Sequence, residues 1–135
     1  MTDAPPAAIA HLELPADARY LAVARLALAG VAAELALGEQ LLEDLKFALS
    51  EAVANAIRHG YPDGAGTVEV RFALRPGQLE ICVDDRGAGF DPEQAVSGIG
   101  LATMRALVSR LAVESKPGGG TRVTFACPLP AGRGV

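Results

Sequence analysis

Glu51 and Asn55 stand four residues apart in the run Ser50-Glu51-Ala52-Val53-Ala54-Asn55-Ala56-Ile57-Arg58-His59-Gly60. Helical spacing puts both on one face, flanked almost entirely by Ala, Val and Ile. A carboxylate and a carboxamide are costly to bury without partners, so the pair either wets a surface or belongs to a site, and the helix alone does not decide which. Asn55 offers a hard carbonyl oxygen suited to Mg²⁺, an ion that keeps several waters and takes few protein ligands besides phosphate. Glu51, one turn earlier, can accept a proton from an attacking hydroxyl or water near such a metal. His59, one further turn along, lines or caps the helix end.

Two other segments are polar or glycine-rich where their surroundings are apolar. In Asp84-Asp85-Arg86-Gly87-Ala88-Gly89-Phe90 the alternate glycines lack Cβ atoms, so backbone can approach a flat or anionic ligand closely. Ionised Asp85 is acceptor-only and suits an exocyclic amine such as adenine N6, although by itself the run reads as an ordinary strand-ending turn. Gly98-Ile99-Gly100 opens a helix whose free N–H groups and positive dipole end make a phosphate seat. It is no dinucleotide fingerprint, lacking a surrounding βαβ unit, and the chain has no Walker-type Gly-Lys-Ser/Thr. Three such segments point to one shared site. Positioning, metal and base are what phosphoryl transfer needs.

The elements that must position these residues follow from periodicity. Ile9 to Leu14 alternates as a short strand, and Pro15 breaks it. A helix over Ala16–Leu35 is apolar nearly all round, with Asp17 favourable near its positive end. Such a helix needs cover on more than one side, from the domain itself or from a second subunit or partner. After Leu37-Gly38 a second helix runs from Glu39 to His59 with Leu41, Leu42, Leu45, Ala48, Ala52, Val53, Ala56 and Ile57 as its core stripe, stopped by Gly60 and Pro62. Strands follow over Thr67–Leu74 and Gln78–Asp84, joined by Arg75-Pro76-Gly77. A third helix is expected over Ile99–Leu111. A hairpin then pairs Ala112–Ser115 with Thr121–Cys127 across a Lys-Pro-Gly-Gly-Gly turn. This order gives an α+β fold, a two-layer α/β sandwich of mostly antiparallel sheet with three main helices on one face.

At 135 residues, half of them apolar, the chain suits a single domain spanning 1–135, with 1–7 and 131–135 as loose ends. A net charge of −4 and no run of Lys or Arg argue against nucleic acid as the main ligand. No segment is long enough to cross a bilayer, and no basic-then-apolar leader opens the sequence, which favours the cytoplasm. Cys82 and Cys127 sit in strand-like runs without metal-ligand companions and read as buried thiols.

Glu51-x-x-x-Asn55, Asp85-x-Gly87-x-Gly89, Gly98-x-Gly100 and Gly118-Gly119-Gly120-Thr121 resemble, in order and approximate spacing, the GHKL ATPase domain shared by histidine kinases, gyrase and MutL. The runs from Glu51 to Tyr61 and from Ser115 to Thr121 are most similar to the anti-sigma-factor serine kinases of the RsbW and SpoIIAB type. The resemblance covers residues 9–129 and implies the Bergerat-type ATP-binding fold. It implies that Asn55 holds Mg²⁺, Asp85 reads adenine, Gly87 and Gly89 shape the base pocket, and Gly98 and Gly100 bracket the phosphates of ATP. Ile99, Leu101 and His59 line the nucleotide, Thr121 supports the adenine side, and Glu51 is the catalytic base. It further implies a dimer that phosphorylates a serine of a STAS-domain anti-sigma antagonist and otherwise sequesters a sigma factor. One departure stands out: the stretch matching the lid, Asp91-Pro92-Glu93-Gln94-Ala95-Val96-Ser97, is short and holds no Lys or Arg. That keeps open a non-catalytic, nucleotide-dependent switch module of the same fold. A detached ATPase domain of a histidine kinase would need a phosphoaccepting His on a long dimerisation helix, which neither His11 nor His59 provides.

Overall fold

The computed structural model describes residues 6–61, 65–87, 108 and 110–130. Strand β1 (Ala7–Pro15) leads through a bend and a 3₁₀ turn (Ala18–Tyr20) into helix α1 (Leu21–Glu34), followed by α2 (Glu39–Asn55) and a π-helical turn (Ala56–Gly60). Strands β2 (Thr67–Arg75), β3 (Gln78–Asp85), β4 (Arg110–Ser115) and β5 (Thr121–Pro128) complete the described elements. The five strands form one sheet in the order β1-β2-β3-β5-β4, every neighbouring pair antiparallel. The expected α+β two-layer fold is therefore present, with two α-helices among the described residues. Most of the third helix expected over Ile99–Leu111 lies outside them.

Alternation fixes which face of the sheet meets the helices. Val68, Val70 and Phe72 on β2 and Leu79, Ile81 and Val83 on β3 are fully or almost fully buried, as are Val123, Phe125 and Cys127 on β5. Each large side chain so buried is worth roughly 1.5–3 kcal/mol against leaving it in water. From above they meet Ala24, Leu28 and Val31 of α1 and Leu45, Ala48, Leu49, Ala52 and Val53 of α2. Leu49 extends the stripe expected on α2. Burial on α1 is confined to one side, and Leu26 is 73% exposed. The apolar circumference of this helix is thus covered by the domain on one side only.

Several boundaries differ from expectation for local reasons. Strand β1 runs on to Ala7 and Pro15 because the register with β2 continues from Ala7↔Leu74 to Pro15↔Thr67. The first helix begins later than Ala16, because the Asp17 carboxylate accepts the Arg19 N–H and caps a 3₁₀ turn before α-geometry starts at Leu21. Regular α-geometry in α2 stops at Asn55 rather than at His59. Leu111 lies opposite Phe125 in β4, not in a helix, so that strand starts at Arg110.

Candidate functional site

Asp85 ends β3 on its core-facing side and is 1% exposed. The Gly87 N–H donates to its Oδ1 at 3.1 Å, and the backbone N–H of Thr121 donates to the carboxylate from the start of β5. Three glycines from three segments close around it. A Cβ on Gly60 would stand 2.8 Å from Asp85 Cγ, one on Gly87 would stand 1.7 Å from the Gly60 carbonyl oxygen, and one on Gly120 would stand 2.1 Å from the Asp85 carbonyl oxygen. Gly120 also has φ +93°, a conformation L side chains rarely adopt. These positions need glycine because the Asp85 side chain at Gly60, and backbone at Gly87 and Gly120, fill the space a side chain would take.

Burial pushes the Asp85 carboxyl above its usual 3.8, while the Gly87 and Thr121 hydrogen bonds and the charge of Lys116 act the other way. An ionised carboxylate has more acceptor sites than two N–H donors use. Beside it, the buried Thr121 Oγ1 has no hydrogen-bond partner among the described residues. Buried polar atoms are rarely left so. An acceptor with spare capacity next to an unpaired hydroxyl matches the edge of a base that offers both a donor and an acceptor, as adenine does.

The second part of the site is the end of α2. Glu51 is half-buried and Asn55 is 7% exposed. After Asn55 the chain widens into the π-helical turn, which leaves Arg58 and His59 exposed while driving Gly60 against Asp85. π-turns inside helices recur at functional sites. His59 therefore leaves the regular i, i+4 face that Glu51 and Asn55 share. Asn55 Oδ1 accepts from Arg58 Nη2 at 2.5 Å. Gly60 is the physical link that brings the helix carrying Glu51 and Asn55 to the strand end carrying Asp85 and Thr121. Gly89, Gly98, Ile99, Gly100 and Leu101 lie outside the described residues.

Two participants escaped the sequence reading. Gly60 reads there as a helix stop, yet it also abuts Asp85. Tyr61 follows it, donating its hydroxyl to the Thr67 carbonyl at 2.7 Å and accepting the Arg86 N–H at 2.8 Å, which anchors the backbone just past Asp85. The paired glycine and tyrosine after the helix were the available signal for both. Arg58, a cation the sequence could offer to neutralise phosphate charge, donates to Asn55 instead.

The sheet face opposite α1 and α2 is ionic. Asp84 is gripped by Arg122 at 2.9 Å and Arg71 at 3.3 Å, and Glu80 by Arg75 at 2.7 Å and Arg110 at 2.8 Å. Their arginines line a shallow cavity of about 540 Å³. Cys82 lies there half-buried, its Sγ 3.5 Å from Thr124 Oγ1, so only Cys127 is the fully buried thiol expected, its pKa pushed up to about 11 by burial. Among the described residues no three His, Cys, Asp or Glu are grouped to hold a metal, and no helix is long and apolar enough to cross a membrane.

The sequence pattern of the family described as "Histidine kinase-like ATPase domain" matches residues 14–127, a span running from the end of β1 into β5 and containing both halves of the site. The chain belongs to that family. As a histidine kinase-like ATPase domain it is an ATP-binding unit. Within the family it groups with protein serine kinases. It is 34% identical over 126 residues to the serine-protein kinase RsbW of Bacillus velezensis, covering 80% of this chain and 79% of the relative. It is 40% identical over 105 residues to RsbW of Bacillus pumilus, covering 76% and 65%. Among solved structures it is similar to the RsbU and RsbW domains of a Mycobacterium tuberculosis protein, with TM-score 0.71 and 32% identity. That match covers 98% of this chain but 35% of the larger protein. The SiaB–SiaC complex of Pseudomonas aeruginosa, with TM-score 0.70 and 13% identity over 88% of this chain and 89% of that one, shares the fold alone.

Proposed function

We propose that this RsbW-type domain is an ATP-dependent protein serine kinase acting as an anti-sigma factor. It phosphorylates a serine on a STAS-domain antagonist and, in its other state, sequesters a sigma factor, working as a homodimer with Mg²⁺. The observation that carries the reading is the Asp85 cradle, a buried carboxylate enclosed by Gly60, Gly87 and Gly120 beside the unpaired Thr121 hydroxyl. Asp85 accepts from the adenine amine, and Thr121 Oγ1 completes the base edge. Gly87, with Gly89, lets the base lie flat against backbone, while Gly98, Ile99, Gly100 and Leu101 seat the phosphates. Asn55 Oδ1 is the protein ligand for Mg²⁺, which when bound neutralises phosphate charge and fixes its geometry. Glu51, on the same helix face, takes the proton of the incoming serine hydroxyl. His59 lines the nucleotide from the exposed side of the π-turn. The exposed side of α1 around Val23 and Leu26 supports contact with a protein partner.

Incubation with ATP, Mg²⁺ and the STAS partner is expected to yield phosphoserine. Glu51→Gln is expected to lower that rate by roughly 10²–10⁴-fold while ATP affinity stays within twofold or so. The cation-free stretch 91–97 favours a second reading, a switch module that grips its partner and turns over no ATP. In that case Glu51→Gln leaves partner regulation intact and no phosphoserine forms with either protein.

A further inference from the structure

Arg58 lies one turn beyond Asn55, and its exposed guanidinium donates to Asn55 Oδ1 at 2.5 Å. That oxygen is the one the proposed function gives to the metal. At 7% exposure it needs a partner in every state of the chain, and without ligand the partner is Arg58. A carbonyl oxygen has two lone pairs, so geometry alone would admit both occupants. Charge does not. A divalent ion held by that oxygen would stand beside the guanidinium that donates to the same atom, and the two like charges repel.

We propose that Arg58 is a positioning residue that latches the metal ligand. It holds Asn55 Oδ1 while the metal is absent and must release it before Mg²⁺ can be held. The inference rests on the reading of Asn55 as that ligand. Its consequence is a tax on metal loading: apparent affinity is the intrinsic affinity reduced by the fraction of chains in which Asn55 is unlatched. The free Mg²⁺ level at which the nucleotide complex forms is thus set in part by Arg58. The widened turn suits the role, because it puts Arg58 on the surface, where the side chain can swing away without unpacking the core.

The test is a Mn²⁺ titration of the full chain saturated with ADP, reading free Mn²⁺ by electron paramagnetic resonance. Wild type, Arg58→Gln, Arg58→Lys and Asn55→Ala are compared after circular dichroism confirms that each is folded. Arg58→Gln is expected to bind Mn²⁺ roughly three- to tenfold more tightly than wild type, the range one ordinary net hydrogen bond allows, because glutamine keeps a neutral donor. Arg58→Lys, which keeps a shorter cation, is expected to fall between them. Equal or weaker Mn²⁺ binding in Arg58→Gln overturns the latch. Asn55→Ala holding Mn²⁺ as well as wild type overturns the assignment of the metal ligand instead, whatever Arg58→Gln does.

Discussion

At the residue scale, the proposed site is a set of polar atoms whose environments cost stability in the empty chain and would return it as ligand contacts. Asp85 is the clearest case. Its carboxyl is raised by burial, so the fold favours the protonated form. The resulting destabilisation is full above the raised value and disappears as pH falls through it toward 3.8. Asp85→Asn removes this charge while keeping one acceptor. Urea unfolding at pH 7 is expected to show the variant as stable as wild type or more so, with any advantage shrinking on acidification into that window. Calorimetry is expected to show ATP binding lost by a hundredfold or more. Thr121→Val is the neutral counterpart: removing an unpaired buried hydroxyl leaves thermal stability unchanged or higher, while ATP affinity falls roughly three- to thirtyfold. A Thr121→Val protein that loses stability would mean the hydroxyl is satisfied within the fold. Asp85, Asn55 and Glu51 stand out in the sequence as candidates because they are polar groups in apolar runs. The Arg58 contact does not, since an i+3 pairing with Asn55 cannot be told from a solvent-facing arginine without coordinates.

At the scale of elements, backbone approaches decide the geometry. The turn between β4 and β5 holds Gly118, Gly119 and Gly120 at φ +86°, +112° and +93°, yet the three are not equivalent. An added Cβ on Gly118 meets nothing within 4 Å, so Gly118→Ala carries only the backbone penalty, about 1 kcal/mol. On Gly120 the Cβ would collide with the Asp85 carbonyl as well, and Gly120→Ala is expected to cost about 2–4 kcal/mol or more. Urea midpoints of the two variants check this, and equal losses would show that the hairpin can move away from β3. Glycine content announced this turn, but not which glycine abuts the aspartate. That depends on β3 and β5 being neighbours, a non-local pairing no window of sequence contains. The misplaced helix boundaries have the same origin. Leu111 continues an apolar helical spacing, and only its partner Phe125 makes it a strand residue. The π-turn after Asn55 is likewise set by Gly60 meeting Asp85, not by local propensity.

At the scale of the whole molecule, the proposed site joins a helical layer and a sheet layer that pack on each other through apolar side chains. Glu51 and Asn55 belong to the helical layer, Asp85 and Thr121 to the ends of two neighbouring strands, and Gly60 is where the layers meet through backbone. A ligand held by both halves acts as a cross-link, stabilising the folded chain by mass action. At a hundred times its dissociation constant that is about 2.7 kcal/mol, several degrees in melting temperature for a domain of this size. The stabilisation should also be local. Hydrogen exchange is expected to slow at the end of α2, through Gly60 and Tyr61, at Asp85–Gly87 and in the Lys116–Thr121 turn, with little change in the β1–β2 pairing at the far edge of the sheet. Asp85→Asn should abolish both the thermal shift and this pattern, because each half alone holds too little of the nucleotide. Uniform slowing across the sheet, or slowing confined to α2, would mean that the two layers do not share one ligand.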